Sequence, residues 1–370
     1  MTQPSIHSGL TYQVAGSAND AQLRRLLREN PLPAGISLSM EREPSYFAGL
    51  AVGGGEHHTI VAIENDRVVC AGSVTVRPRF VNGVPQRVGY LGGLRLDHSS
   101  RSRPGILLRG YEAFHDLHAE TCGPSLYLTS IFTDNGRAIR FLERGLPHMP
   151  TYRRVAEFVT LVLRDRPRRR CQTNLDISVA GEADLPAISA LLNQQNRQFQ
   201  FAPVWNVDDL KACRELRPTD VCVARRRDGK VIACASLWDQ RGVRQTVVRG
   251  YAPALSRLRP MINLGARLLR KPMLPAVGQT VRLAFASHIA ASVPEALLPI
   301  LQSVQAVAAE RGLEYLTVGF DARDPRLRIV RSHFQVRDYR SRLYVVYWED
   351  GFDSAQRLTD GIVSPEVALL

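Results

Sequence analysis

The sequence predicts a mixed α/β (α+β) fold in two tandem copies, each a mostly antiparallel sheet with helices packed on it. An internal repeat carries this expectation. Residues 10–27 (LTYQVAGSANDAQLRRLL) and 175–192 (LDISVAGEADLPAISALL) align without a gap and share Val-Ala-Gly and a closing Leu-Leu. Three further blocks recur in the same order: VAIENDRVVCAGS from Val61 with VARRRDGKVIACAS from Val223, YLTSIF from Tyr127 with YLTVGF from Tyr315, and RAIRFLER from Arg137 with RLRIVRS from Arg326. Length is the second observation, since 370 residues with 45% hydrophobic content suit two domains better than one. The third is a dense basic run, Arg164 to Arg170 (RDRPRRR), whose proline and missing aromatics read as a solvated linker. The predicted division is 1–165, an arginine-rich linker over 166–172, and 173–370.

Local pattern supplies the elements. The opening block of each copy reads as strand, turn and apolar-periodic helix. The next block reads as two strands joined by a polar turn, with Asp228-Gly229 a strong hairpin signal. In copy one, Tyr90 opens a glycine-broken strand (YLGGLRL), a basic turn follows (DHSSRSRPGI), and a helix runs to Leu117 (LLRGYEAFHDL). Ser125 to Phe132 reads as a buried strand and Asn135 to Gly145 as a short helix ended by glycine. The final strands are Val155 to Leu163 and Leu343 to Trp348.

The stretch from Tyr90 to Leu117 describes an anion site. A helix start leaves backbone N–H groups unpaired and carries partial positive charge, so a turn holding Arg101, Ser102, Arg103 and Gly105 suits a phosphate or pyrophosphate. Pro104 fits the first helical turn. Gly92 and Gly93 weaken ordinary strand pairing and mark a bulge or a close ligand approach.

These residues resemble motif A of the GCN5-related N-acetyltransferases, an R/Q-x-x-G-x-G/A turn after a bulged strand. Reading from Arg101 puts Pro104 and Ile106 on the glycine positions, while reading from Ser102 keeps Gly105 and leaves Leu107 on the last. Asn135, Ala138, Phe141, Glu143 and Gly145 resemble motif B, with Leu142 where the family often has a tyrosine that protonates the departing thiolate. The resemblance implies acyl transfer, acetyl first, from acetyl-CoA as co-substrate to a small-molecule or peptide amine by direct attack, with no metal. It further implies that backbone N–H groups of Leu94 and Leu96 hold the pantetheine and thioester. Arg101, Ser102, Arg103, Gly105, Ile106 and Leu107 would then hold the pyrophosphate, and Asn135 would contact the cofactor.

The general base is the weak point of the pattern. Some family members carry a glutamate on the strand before the bulge, whereas this chain reads Val88-Gly89-Tyr90. Tyr90 is the nearest polar side chain and the catalytic candidate, although a phenol is a poor base unless shifted and a tyrosine there is also an ordinary wall. Asp97 and His98 read as caps of the turn. His57-His58, read as a loop pair after a glycine run, and Cys122, with no activating neighbour, are weaker candidates.

At the matching place copy two reads FASHIAASVPEALLPIL, with neither glycine nor arginine, so it is expected to bind no coenzyme and to act as a packing partner. Tyr344 to Trp348 and Val204-Trp205 read either as core or as walls of an acceptor cleft between the copies.

The net charge of +13 raises a nucleic-acid module as an alternative, but the cations are spread over both halves without clustering. A coenzyme-binding but inactive protein is the other alternative, since both the strand glutamate and the helix tyrosine are missing. Six cysteines without C-x-x-C spacing argue against zinc and against a disulfide framework. The N-terminus lacks the pattern of a signal peptide and no stretch looks membrane-spanning, so the expected compartment is the cytoplasm and no membrane contact is expected.

Overall fold

The computed structural model describes residues 9–32, 34–103, 105–167, 174–269 and 272–370. Pro104, Cys171 and most of the expected linker, from 168 to 172, lie outside the described residues. Copy one contributes strands β1 (Leu10–Val14), β2 (Ile36–Glu41), β3 (Glu56–Glu64), β4 (Arg67–Val81), β5 (Val84–Leu96), β6 (Leu126–Phe132) and β7 (Thr151–Pro167). Its helices are α1 (Asp20–Glu29), α2 (Tyr46–Leu50), α3 (Gly105–Glu120) and α4 (Gly136–Leu142). Copy two contributes β8 (Asp176–Val179), β9 (Val221–Arg225), β10 (Val231–Trp238), β11 (Gln245–Tyr251), β12 (Leu283–Ala291), β13 (Tyr315–Asp321) and β14 (Phe334–Tyr347). Its helices are α5 (Leu185–Asn196), α6 (Val207–Ala212), α7 (Pro253–Leu268), α8 (Leu297–Glu310), α9 (Pro325–His333) and α10 (Phe352–Gln356).

All four repeated blocks take the same structure in both copies. The turn of the β3–β4 hairpin is built by Asn65 and Asp66, both in the left-handed region, and that of β9–β10 by Gly229 at φ +82°. Helices cover both faces. In copy one, α1 and α2 bury Leu23, Leu26, Leu27, Tyr46 and Leu50 against β3 and β4, while α3 and α4 bury Phe114, Ile139 and Leu142 on the opposite side.

The two sheets are one. Twelve strands run in the order β1-β3-β4-β5-β6-β14-β7-β13-β12-β10-β9-β8, which is a palindrome of equivalent strands about the β14–β7 pair. Only β5–β6 and β12–β13 are parallel. The final strands are exchanged. β14, the last strand of copy two, pairs with β6 of copy one, and β7, the last strand of copy one, pairs with β13 of copy two. The division at 166–172 therefore follows the repeat along the chain, while in space each unit is completed by a strand from the other.

Side chains reinforce this junction. Arg79, on β4 and almost wholly buried, donates from Nη1 to the carbonyls of Phe201 (2.9 Å) and Pro365 (2.8 Å). Arg77 lies over the Trp205 ring at 4.1 Å and donates to the Gly53 carbonyl. A second small sheet, β2 with β11, joins the copies again. Trp205 and Tyr344 to Tyr347 are core residues, so these aromatics serve packing rather than a free groove wall. Among the described residues no helix is long and apolar enough to cross a membrane.

Candidate acyl-CoA fork

β5 pairs with β6 from Val88 to Leu91, opposite Leu126 to Thr129, and then leaves it. The cause is a bulge: the β4–β5 register slips between Ser73↔Gly92 and Ala71↔Arg95, with Gly93 at φ +66°. Beyond Leu91 the β6-facing peptide groups of β5 have no ladder partner, so a fork opens between the strands. Leu94 is exposed at its mouth, and Leu96 packs beside Ile106 at the foot of α3.

The basic turn closes the end of the fork. Asp97 caps it by accepting from Ser99 N (3.0 Å) and pairs with Arg67 (3.0 Å), as expected from its position. Arg137, from the first turn of α4, donates to the Arg101 carbonyl, which ties the motif A turn to the motif B helix. Ser102 and Gly105 are exposed, and a side chain added at Gly105 would meet nothing. The two arginines differ. Arg103 is engaged by Glu64 through two 2.7 Å bonds, whereas Arg101 forms no ion pair among the described residues. Ile106 is buried and Leu107 half-buried, so only their backbone can serve a ligand. Asn135 caps α4 by accepting from Ala138 N (3.2 Å), and its amide nitrogen is exposed beside the turn.

Leu142 is buried with Phe114 and Ile139, so the motif B tyrosine position is core here. Burial pushes the Tyr90 phenol up to about 12 despite Arg244, Arg79 and Arg42 nearby, so it keeps its proton at neutral pH. His57 and His58 lie on β3 rather than in a loop, and His58 faces Glu56 at 3.2 Å. Burial pushes the Cys70, Cys213 and Cys234 thiols up to about 12, so none of these is an activated nucleophile.

Sequence reasoning missed a group on the α1/α2 face of the bulge. A Cβ placed on Gly93 would stand 3.6 Å from Arg42 Nη2, 3.7 Å from Ser73 Oγ and 3.8 Å from the Tyr46 hydroxyl. Tyr46 shares a hydrogen bond with Ser73 (2.7 Å), and Ser73 with Thr59 (2.9 Å). Arg42 lies over the Tyr46 ring at 4.4 Å, and its Nη1 is buried without a partner. Arg244 of copy two reaches the same place and donates to the Gly49 carbonyl (2.7 Å). Burial lowers Arg244 to about 9 and also lowers Arg95, each depressed further by Arg42. No local motif announces this cluster, because the residue after β2, strand β5 and copy two each supply one arginine.

Copy two has the same fork, and it is filled. β12 bulges at the equivalent place, between Ser236↔Ser287 and Cys234↔Ala290, with His288 at φ +50° in the position of Gly93. β12 pairs with β13 only over Leu283 to Phe285. Into this opening goes the segment around Glu366, whose carboxylate accepts from the bulge amide of His288 (2.9 Å). Val367 lies against Gly319 of β13. A carboxylate of the chain itself thus satisfies the amide that the bulge exposes. The cavity remaining there, between Trp205, His288, Arg326 and Glu366, has a volume of about 30 Å³, room for a water and not for a coenzyme.

No family profile and no curated protein matches this sequence. Solved structures do. An N-myristoyltransferase from Saccharomyces cerevisiae with bound myristoyl-CoA superposes with a TM-score of 0.63 at 10% identity, covering 94% of this chain and 85% of that one. A GCN5-related N-acetyltransferase from Sphaerobacter thermophilus gives 0.52 at 14% identity, covering 92% and 96%. A probable N-acyltransferase from Enterococcus faecalis gives 0.51 at 9%, covering 91% and 71%. The chain has the GCN5-related N-acetyltransferase-like fold in its two-lobed form.

Proposed function

We propose that this protein is an acyl-CoA-dependent N-acyltransferase with one active site per chain, in the β5–β6 fork of copy one. The observation that carries the proposal is the contrast between two equivalent forks, one open beside a basic turn and one filled by Glu366. The fold neighbours support the reaction class, and one of them is described with myristoyl-CoA bound. Acetyl is our first choice of acyl group and a longer chain the second.

The residues divide the work. Arg101, with backbone N–H groups of Ser102, Gly105 and Leu107, holds the pyrophosphate at the start of α3, whereas the Ile106 N–H is already given to the Arg103 carbonyl (3.2 Å). Arg103 joins them only by leaving Glu64, and Asn135 contributes its exposed amide. Backbone N–H groups of Leu94 and Leu96 hold the pantetheine and thioester. The amine comes from the α1/α2 face, past Tyr46 and Tyr90, and attacks the carbonyl carbon. The C–N bond forms as the C–S bond breaks, and the second proton of the attacking nitrogen passes through water to the departing sulfur, giving the amide and CoA thiol.

No carboxylate base is required at this place. Arg42, Arg95 and Arg244 disfavour a further positive charge, so an ammonium entering beside them is driven to release its proton to water. The same field stabilises the tetrahedral oxyanion and the leaving thiolate. Tyr90 remains a neutral wall and hydrogen-bond donor.

Calorimetric titration with acetyl-CoA and with myristoyl-CoA tests the reading. One molecule per chain is expected, together with CoA release on adding amines. A protein that binds neither thioester overturns it, and one that binds without turnover with any amine is the sensor alternative.

A further inference from the structure

Resting on that reading, we infer that the acyl acceptor is an amine bearing a carboxylate, bound by Arg42 and Arg244 beside the Gly93 bulge. Elsewhere in this protein arginines stand against acids: Arg24 pairs with Asp20, Arg241 with Asp239, Arg326 with Asp324. The bulge cluster is different. Arg42 is a charged neighbour of both Arg95 and Arg244, Arg101 is a further one of Arg95, and no acidic side chain forms an ion pair with Arg42, Arg95 or Arg244 among the described residues. Three guanidinium groups gathered without a counter-ion are unfavourable in the free protein, and an incoming anion removes the repulsion.

Geometry points the site at the reaction. Arg42 Nη2 stands 3.6 Å from the Cβ position of Gly93, hence next to the peptide groups proposed to face the thioester. Its Nη1 is buried and unpartnered, so one arm of the guanidinium fork is unused. Arg244 spends Nε on Gly49 and Nη1 on the Ala368 carbonyl (3.3 Å), which fixes its plane. A planar carboxylate suits such forks better than a point anion does. The Tyr46 hydroxyl offers a further polar contact at the same place.

The test is calorimetric and needs no turnover. N-acetylglycine, N-acetylglycinamide and inorganic phosphate are titrated into the CoA-loaded protein, up to about 10 mM, which detects a Kd near 1 mM. The acid should bind and the amide should not. Arg42→Gln should weaken the acid by about tenfold to a hundredfold, in a protein whose cooperative melting shows that it is folded; Arg95→Gln should weaken it less. Equal binding of acid and amide, no binding of the acid, or an unaffected Arg42→Gln protein overturns the inference. Binding of phosphate alone overturns the carboxylate assignment. Loss of acetyl-CoA binding in the wild type would instead overturn the proposed function, leaving the anion result to be read separately.

A second inference rests on α7, an insertion between β11 and β12. Its polar side is turned inward: Asn263 bonds the Leu274 backbone twice (3.0 and 2.7 Å), and Arg259 lies over Tyr251 at 5.5 Å. Its apolar side faces solvent. Met261, Leu264 and Leu268 are 71%, 62% and 77% exposed, with Leu258 and Ile262 beside them, and no residue of the helix is buried. No acidic residue stands between Asp239 and Glu295 in the sequence, whereas Arg257, Arg259 and Arg267 lie on the helix. We propose that α7 lies on an anionic phospholipid surface, its apolar stripe among the acyl chains and its cations against the headgroups. The full chain should co-sediment with phosphatidylcholine vesicles containing about 30% phosphatidylserine. Met261→Glu with Leu268→Glu, both surface changes, should abolish this. Failure to co-sediment overturns the proposal. So does a wild-type dimer in sedimentation velocity that the same pair of substitutions makes monomeric, because the occupant is then a second copy.

Discussion

Arg101 and Arg103 are one residue apart in the turn, yet they should answer differently to removal. Arg101 forms no ion pair among the described residues, and its carbonyl is held by Arg137. Its guanidinium can meet a pyrophosphate without giving up a carboxylate partner. Hydrogen bonds to charged groups contribute about 1.5–3 kcal/mol, so Arg101→Ala should raise the acetyl-CoA Kd about tenfold to a hundredfold. Arg103 begins in a two-pronged pair with Glu64, so its service to the ligand is discounted by the contact it must leave. Arg103→Ala should cost about threefold or less, part of it from the Glu64 carboxylate left beside the phosphates. Releasing Arg103 by Glu64→Gln should tighten the coenzyme. Titration calorimetry at fixed ionic strength reads all three, and melting curves control for folding. A loss in Arg103→Ala equal to that in Arg101→Ala, with Glu64→Gln neutral, would refute this division of the turn.

Further outcomes follow from the two forks and the exchanged strands. Leu142→Tyr forces a phenol into a packed site and should cost about 1–3 kcal/mol of stability with no gain in turnover, read by denaturant titration and CoA release. Glu366→Ala leaves the buried His288 amide unpaired and should cost about 1–3 kcal/mol, while acetyl-CoA stoichiometry stays at one per chain. Burial lowers the His288 imidazole to about 3 from an ordinary 6.5, so below pH 6.5 the unfolded chain takes up a proton that the folded one refuses. Stability should then fall by about 1.4 kcal/mol per pH unit on that side, offset from its raised value down to the ordinary 4.5 by Glu366, whose carboxyl burial raises; His288→Gln should flatten the slope. Cutting the chain after Arg166 removes β14, exposes the edge of β6 and strips β7 of β13; gel filtration should show aggregate rather than a soluble acyl-CoA-binding fragment.

Much of this was legible in the sequence because it is written in short-range pattern. The repeat fixed the number of copies, glycine and Asp-Gly marked the bulge and hairpin, and Arg101 to Gly105 stood directly before a helix. Strand exchange was not legible, since β7 and β14 have the same apolar alternation and nothing local says which neighbour each will choose. The arginine cluster was hidden for a similar reason: Arg42 and Arg244 are 202 positions apart, and only the β2–β11 sheet brings them to one place. Leu142 could be read as a missing acid, but only packing shows that the position belongs to the core.

The exchange also gives copy two, whose fork is filled, a structural role of its own. A strand lent to a neighbour cannot be lost without opening an edge in the lender's partner, so the two units fold and fail together. β14 buries Leu343, Tyr344, Val345 and Val346 completely, between β6 and β7. Copy two also meets copy one at two further places. Arg244 stands beside the Gly93 bulge, and the 200–204 segment is clamped to the tip of β4 through Phe80 N to Ala202 O (2.8 Å) and Phe201 N to Phe80 O (2.7 Å). Filling its own fork with Glu366 removes a competing ligand site and at the same time pins the chain's last segment, whose Ala368 carbonyl receives Gln240 and Arg244. The filling of the fork in copy two and the proposed acceptor face in copy one are therefore linked through the same few residues, and a substitution that empties the filled fork should be felt at Arg244 before it is felt at Arg101.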